Sequence, residues 1–299
     1  MIANCDAVET DSRLLLVDAG NTRTKIGVFA DRPPTEGQLP QCVAELTIEN
    51  GETVEWARIA RLAGATERFQ LVLTGSNPVR VAELTKSVPV DWPAPLKLPP
   101  RSRFPLAIDV DFPERVGIDR LLNAIAANQL RLSGQSAVIV SSGTATTIDY
   151  VSPDGRFCGG AILPGFELSA RALHQYTALL PLIPLDVVLD AQPSDVGRNT
   201  EAALRSGLYW GHVGGVKELV RRLLQRGTVD QQTASGDQSR HLGNAAVGDL
   251  PLLVVTGGAA PLLLPHLPSF VRHEPQLPLQ GLAILMHSRT PHRDSSSEV

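Results

Sequence analysis

The sequence predicts an α/β protein built from two related units. Short apolar runs typical of buried strands alternate with segments whose apolar residues recur at helical spacing. The run Leu14–Asp18 leads into a glycine turn and a second strand, and Ala137–Val140 does the same in the second half of the chain. A chain of 299 residues is long enough for two domains of ordinary size. We therefore expect domains over residues 1–130 and 131–299.

The elements expected in the first half follow from apolar runs and from the glycine and proline residues that interrupt them. Strands are predicted at Leu14–Asp18, Lys25–Ala30, Gln41–Ile48 and Phe69–Thr74. Helices are predicted where apolar residues fall on one helical face, at Glu52–Leu62, Val79–Ser87 and Asp119–Leu130. The proline-rich segment Asp91–Pro105 is expected to be a loop.

The second half repeats the pattern and adds two polar segments. Strands are predicted at Ala137–Val140, Thr146–Val151, Arg156–Ile162 and Leu252–Thr256. Helices are predicted at Phe166–Ala178 and Thr200–Gln225, with a short one after Gly257-Gly258. The stretch 227–249 is rich in Gln, Ser, Gly and Asp, so we expect a surface insertion there. The polar segment 288–299 is expected to be a flexible tail.

Composition argues against several classes of protein. The formal net charge of −4 gives no general attraction to nucleic acid or to a membrane surface, so we expect neither as a partner. Three cysteines, at positions 5, 42 and 158, suggest neither a disulfide framework nor a metal site. The first residues lack a signal-peptide pattern, and no apolar run has the length of a membrane span. We therefore expect a cytoplasmic protein.

The first motif that could carry chemistry is DAGNTRTK at Asp18–Lys25. A glycine turn lets backbone N–H groups approach a phosphate, and hydroxyl, amide and basic side chains beside it can donate further hydrogen bonds. The carboxylate of Asp18 could hold Mg²⁺, which prefers carboxylate and phosphate oxygens. A plain hairpin turn would give the same pattern, so this segment alone leaves both interpretations open.

A second glycine turn, in SGTATT at Ser142–Thr147, can be aligned with the first. The segments Val17–Thr22 and Val140–Ala145 share an apolar strand, a glycine at the same place and a second strand. Alone, the second segment could be an ordinary threonine-rich strand, because β-branched residues favour strands. Together, the two segments predict a duplicated unit whose turns face a shared ligand.

The third motif is GIDR at Gly117–Arg120, at the start of a predicted helix. The carboxylate of Asp119 could accept a hydroxyl proton in phosphoryl transfer. The guanidinium of Arg120 could bind a carboxylate or a phosphate through two nitrogens. Alternatively, Asp119 could cap the helix while Arg120 points into solvent.

Four segments, in order along the chain, resemble those of type III pantothenate kinases, a family in the acetate and sugar kinase, heat-shock and actin superfamily. They are Asp18–Lys25, Gly117–Arg120, GTATTIDYV at Gly143–Val151 and NTEAALRSGLYWG at Asn199–Gly211. The resemblance implies two ribonuclease-H-like domains in an actin-like ATPase fold, with ATP in a cleft between them. It also implies transfer of the γ-phosphoryl group of ATP to pantothenate, the first step of coenzyme A biosynthesis.

The resemblance implies roles for individual residues. Thr144 would contact ATP, and the ATP phosphates would be held by Asp18, Ala19, Gly20, Asn21, Thr22, Arg23, Thr24 and Lys25. Asp119 would be the proton acceptor, and pantothenate would be bound by Gly117, Ile118, Asp119, Arg120 and Thr200. The reaction would need Mg²⁺, with Asp18 as a candidate ligand, and usually a monovalent cation, K⁺ or NH₄⁺. Members are typically homodimers with the site near the subunit interface.

Three positions depart from the family's pattern. The family usually has a potassium-binding aspartate two residues before the glycine of its GTA segment, and this chain has Ser141. Because a neutral hydroxyl is a poorer cation ligand than a carboxylate, we expect weakened dependence on the monovalent cation. Val110 and Phe112 stand where the family tends to have Tyr and Asn. A kinase for another small alcohol therefore stays open, as does a non-catalytic accessory or regulatory protein of the same fold.

Overall fold

A computed structural model describes residues 13–63, 69–184, 186, 192–235 and 250–288. Within these ranges, no helix is both long enough and apolar enough to cross a membrane. The chain divides into two compact units, one formed by residues 1–104 with 278–299 and the other by residues 105–277. This division differs from the expected boundary at residue 130, because the segment 105–130 belongs to the second unit and the end of the chain to the first.

The first unit is built on a four-stranded sheet. Its strands are β1 Arg13–Ala19, β2 Arg23–Ala30, β3 Cys42–Glu49 and β4 Phe69–Thr74. They lie in the order β3-β2-β1-β4, with β1 parallel to β4 and β2 antiparallel to both of its neighbours. Four successive residues of β1 are buried, so both faces of this strand are covered. That burial explains why β1 is a continuous apolar run instead of an alternating one.

Two helices cover the apolar residues of this sheet, α1 (Trp56–Ala63) and α2 (Pro78–Ser87). Their buried side chains Trp56, Ile59 and Leu84 belong to the same core cluster as residues of β1 and β4. Helix α2 begins at Pro78, one residue before its predicted start, because Asn77 Oδ1 accepts a hydrogen bond from the N–H of Arg80 (3.0 Å) and Pro78 suits the first turn.

The second unit is built on a five-stranded sheet. Its strands are β5 Ala137–Ser142, β6 Ala145–Val151, β7 Phe157–Pro164, β8 Leu252–Thr256 and β9 Arg272–His273. They lie in the order β7-β6-β5-β8-β9. The helices of this part of the chain are α3 Ile118–Leu130, α4 Phe166–Gln175, α5 Thr200–Ser235, α6 Ala260–Leu263 and α7 Leu277–His287. Helix α7 begins at the last residue of the second unit and continues into the first.

The two sheets repeat one arrangement, as the aligned glycine turns predict. In each, a hairpin is followed by a third antiparallel strand, and the first strand pairs in parallel with a later one. A glycine after that later strand, Gly75 or Gly257, lies so close to Ala19 or Ser142 that a Cβ atom would overlap the backbone. Both sheets thus require a glycine at the same place, and both have the strand topology of a ribonuclease-H-like domain.

Helix α5 extends ten residues past its predicted end at Gln225, to Ser235. The first part of the predicted insertion is therefore helical, and its remainder lies outside the described residues, as does the predicted tail after Ser288. Polar contacts with the sheet explain the extension. The Tyr150 hydroxyl donates to Asp230 Oδ2 (2.6 Å), and the Ser136 hydroxyl donates to Gln231 Oε1 (2.7 Å).

Candidate active site

The first motif forms the end of β1, a tight turn and the start of β2. The N–H of Gly20 donates to the carbonyl of Arg23 (3.0 Å). A Cβ atom at position 20 would lie 2.9 Å from that carbonyl oxygen, so the turn needs a glycine.

Asn50 supports this turn, although it lies outside the motif. Its Nδ2 donates to the carbonyls of Gly20 and Asn21 (2.8 Å each), and its Oδ1 accepts from the buried hydroxyl of Thr24 (3.1 Å). The hydroxyl of Thr24 therefore helps to hold the turn. In the sequence Asn50 precedes Gly51, which signals only a turn.

The charged residues of the motif lie on neighbouring strands. Arg23 Nε donates to Glu49 Oε1 (2.7 Å), and both side chains are about half exposed. Asp18 and Lys25 are directly paired across β1 and β2, and both are half-buried. Among the described residues, no three His, Cys, Asp or Glu side chains form a metal cluster. The carboxylate of Asp18 could supply one oxygen to a magnesium ion, whose other ligands would be phosphate oxygens and water.

The second turn, Gly143–Ala145, joins β5 to β6 in the same way. The N–H of Gly143 donates to the carbonyl of Ala145 (3.0 Å). The N–H of Gly165, just before α4, donates to the carbonyl of Thr144 (2.9 Å), and a Cβ atom at position 165 would overlap the turn. Thr144 is thus fixed between the hairpin and the start of α4.

The third motif places Asp119 in the first turn of α3. Gly117 is the N-cap residue and no side chain caps the helix, so Asp119 does not have the capping role. The carboxylate of Asp119 is half-buried, and it has no hydrogen bond or ion pair within the described part of the chain. A Cβ atom at position 117 would lie 2.5 Å from Asp119 Oδ1. The glycine of this motif therefore makes room for the carboxylate.

Arg120 turns inward to Asp149 on β6. Its Nε lies 3.0 Å from Asp149 Oδ1, and its Nη2 donates to the same oxygen, so two nitrogens of the guanidinium are engaged. The side chain of Asp149 is fully buried and that of Arg120 is 15% exposed. The fork expected to bind a substrate carboxylate is therefore occupied by a protein carboxylate.

Asp149 belongs to the candidate site through its ion pair with Arg120. The sequence motifs predict no role for it, although it lies within GTATTIDYV. Burial raises its pKa, while the hydrogen bonds from Arg120 oppose that rise. Gly160 lies opposite Asp149 on β7, where a Cβ atom would be 2.7 Å from Asp149 Oδ1. The only signal in the sequence was an acidic residue among strand formers, where unpaired charge is costly.

Ser141 lies on β5, directly opposite Thr147 of β6 and Thr256 of β8. Direct partners in a sheet share a face, so these three residues form a row of hydroxyl side chains. Thr147 Oγ1 contributes to lowering the Asp149 pKa but makes no hydrogen bond of ordinary length within the described residues. The row supplies neutral oxygens and no carboxylate.

Thr200 is the first residue of α5 and is exposed. It lines a cavity of about 790 Å³ together with Arg198, Leu173, His212 and other residues of the second unit. None of Gly117–Arg120 lines this cavity. The grouping of Thr200 with Gly117–Arg120 in one substrate site therefore stays a prediction.

Replacement of Asp149 by Asn should remove the charge that matches Arg120. Because removing one partner leaves the other buried and unpaired, we expect a loss of about 3 kcal/mol in the free energy of unfolding, measured by chemical denaturation. The matched control is Asp154→Asn, which breaks an exposed pair with Arg156 and should cost far less. Equal losses for the two variants would contradict the importance of the buried pair.

Comparison with known proteins identifies the family. A family model described as type III pantothenate kinase matches residues 14–222. The type III pantothenate kinase of Gluconobacter oxydans is 34% identical, covering 93% of this chain and 94% of its own. That of Parafrankia sp. is 32% identical, covering 94% of this chain and 100% of its own.

A solved structure supports the fold. It comes from Campylobacter jejuni, is described as a conserved Baf family transcriptional activator, and superposes with a TM-score of 0.50 at 19% identity. The superposition covers 91% of this chain and 96% of that one. The sequence matches extend over nearly the whole of both relatives. They therefore identify the family, whereas the likeness in structure shows only the fold. This chain belongs to the type III pantothenate kinase family.

Proposed function

We propose that Asp119 accepts the proton when this chain transfers the γ-phosphoryl group of ATP to pantothenate, the first step of coenzyme A biosynthesis. Membership of the family makes the chain an ATP-dependent kinase with pantothenate as acceptor. One observation carries the role of Asp119. Its half-buried carboxylate has no hydrogen bond or ion pair with another described residue, while the adjacent Arg120 is held by Asp149.

In this reaction the primary hydroxyl oxygen of pantothenate forms a bond to the γ-phosphorus of ATP. The bond from that phosphorus to the β,γ-bridging oxygen breaks, and ADP leaves. The hydroxyl proton passes to Asp119, which therefore acts as a general base. We place the reaction in the cytoplasm, because ATP is the phosphoryl donor.

The two glycine turns are proposed to hold the phosphates of ATP through backbone N–H groups and short polar side chains. In the first turn, Arg23 could exchange Glu49 for a phosphate oxygen at low cost, because their ion pair is half exposed. Asp18 would hold Mg²⁺ directly or through water. When bound, this ion offsets negative charge on the phosphate oxygens.

We propose that Arg120 binds pantothenate through one guanidinium nitrogen instead of two. With Nε and Nη2 engaged by Asp149, its remaining nitrogen, Nη1, is the one that can donate to the pantothenate carboxylate. Arg120 lies beside Asp119 in the chain, so a carboxylate bound to Nη1 would orient the acceptor near the base. The ion pair with Asp149 reduces the freedom of the guanidinium before substrate binds.

Asp119→Asn should lower kcat by about 10²–10⁴-fold, because an amide cannot accept the hydroxyl proton. The assay follows radiolabelled phosphate from ATP into pantothenate. Asp154→Asn is the matched control, since Asp154 is an exposed acid of the same unit without an assigned role. A folded Asp119→Asn enzyme with nearly unchanged kcat would exclude the proposed role.

Parallel reactions with other small alcohols would reveal a different acceptor, and transfer to none would indicate an accessory protein.

We also propose that this enzyme depends weakly on monovalent cations. The position of the family's potassium-binding aspartate is occupied by Ser141, and its strand neighbours are Thr147 and Thr256. Neutral hydroxyls attract a cation less strongly than a carboxylate does. The nearby carboxylate of Asp149 is already matched by Arg120.

Activity of the natural chain should change little when potassium is replaced by a bulky organic cation at equal ionic strength. Ser141→Asp should increase the response to potassium, because it adds a negative oxygen to the hydroxyl row. Ser141→Asn, which adds similar volume without charge, serves as the control. A natural chain that is inactive without potassium would show that other ligands hold the ion.

A homodimer is proposed from the exposed apolar side chains of the second unit. They concentrate around β7, α4 and the segment that precedes α5, and are Ile162, Leu168, Leu173, Tyr176, Leu179, Leu182 and Val196. Exposed apolar patches of this kind mark interaction sites in soluble proteins. One of these residues, Leu173, lines the cavity that contains Thr200, so a second copy seated here would cover that part of the predicted substrate site.

Sedimentation should give twice the chain mass of 32.0 kDa for the natural protein. Tyr176→Glu and Leu179→Glu, at side chains 81% and 91% exposed, should shift the protein toward monomer because they place charge in the proposed interface. Val90→Glu changes an exposed residue of the first unit and should leave the mass unchanged. A monomeric natural chain would contradict the proposal.

A further inference from the structure

Three buried polar side chains form a hydrogen-bonded row beneath the second glycine turn. Ser142 Oγ lies 3.1 Å from Thr146 Oγ1, and Thr146 Oγ1 lies 3.2 Å from Nε2 of His212. Ser142 and Thr146 are fully buried, and His212 is 9% exposed. The row therefore ties the two strand residues that flank Gly143–Ala145 to helix α5.

The ring of His212 also packs against the start of α4. The centre of its ring lies 4.2 Å from that of Phe166, the first residue of α4. Phe166 follows Gly165, whose N–H donates to the carbonyl of Thr144. The imidazole therefore contacts Thr146, which flanks the turn, and Phe166, which follows the glycine that binds the carbonyl of Thr144.

The state of the imidazole determines how the row is oriented. Burial lowers the pKa of His212, so the ring is neutral at neutral pH. A neutral Nε2 either accepts from the Thr146 hydroxyl or donates to it, and each hydroxyl has a single proton to give. One tautomer of His212 therefore fixes the direction of both hydroxyl groups.

We infer that His212 is a positioning residue for ATP binding. It acts through Thr146 and Ser142, which hold the Gly143–Ala145 turn in place. This inference rests on the proposed role of Thr144 in ATP binding. Removal of the imidazole would leave the buried Thr146 hydroxyl with one partner fewer and free the turn to move. The cost of this loss should appear in the binding of ATP.

Two single variants interrupt the row at different points, His212→Ala and Thr146→Val. Each should raise the KM for ATP about tenfold, the effect of losing one buried hydrogen bond. Thr146 does not line the cavity that contains Thr200, so Thr146→Val should change the KM for pantothenate less than about twofold. Because both break the same row, the double variant should be little worse than either single variant. His212→Gln, whose amide can reach the position of Nε2, should restore the KM for ATP to within about threefold of the natural value.

Tyr209→Phe is the matched control for simple loss of stability. Tyr209 lies one turn earlier on α5, is 3% exposed, and loses a hydrogen bond to His266 Nε2 (2.9 Å) that does not reach the turn. It should lower the melting temperature without changing the KM for ATP. His212 also lines the 790 Å³ cavity, so added imidazole can enter and should partly rescue His212→Ala.

Affinity for a non-hydrolysable ATP analogue, measured by calorimetry, separates this inference from the proposed function. The inference is supported if His212→Ala and Thr146→Val weaken analogue binding and Tyr209→Phe does not. It is wrong if the analogue binds equally to all variants, or if neither Gln nor imidazole restores binding. Failure of the natural chain to phosphorylate pantothenate would instead overturn the proposed function, while analogue binding would still test His212.

Discussion

A carboxylate enclosed in a β-sheet must be matched by a cation or lose its charge. Asp149 occupies this position on β6, and the sheet gives it space only because Gly160 has no side chain. Arg120 supplies the cation, so the first turn of α3 must lie against this part of the sheet. The placement of Asp119 follows, since it is the neighbour of Arg120 and is left without a protein partner within the described residues. One buried charge thus organises the proposed acceptor site.

The two glycine turns share a backbone geometry but are supported by different side chains. The first is held by the amide of Asn50, which binds two carbonyls of the turn. The second is flanked by Ser142 and Thr146, which are hydrogen-bonded to each other, and Thr146 to His212, while Gly165 binds the carbonyl of Thr144. Duplication therefore explains the strands and the glycines, while the polar supports belong to each unit separately.

The duplicated sheet could be predicted from the sequence because strand periodicity and glycine turns are local signals. The partner of Arg120 could not, because Asp149 lies 29 residues away and is brought near only by the fold. Helix α5 continues past its predicted end because contacts such as that between Tyr150 and Asp230 outweigh the polar composition. Helix α7 has no amphipathic pattern, since its successive residues from Leu277 to Ala283 are all buried and therefore cover every side of the helix.

The contact between Gly117 and Asp119 has a consequence for altering the acceptor specificity of this enzyme. The smallest possible side chain at position 117 would occupy the space of the Asp119 carboxylate. A side chain added at this glycine would therefore displace the carboxylate of Asp119, the proposed proton acceptor. Val110 and Phe112, where the sequence departs from the family's pattern, are therefore the better positions to change, and Phe112 is 56% exposed beneath the guanidinium of Arg115.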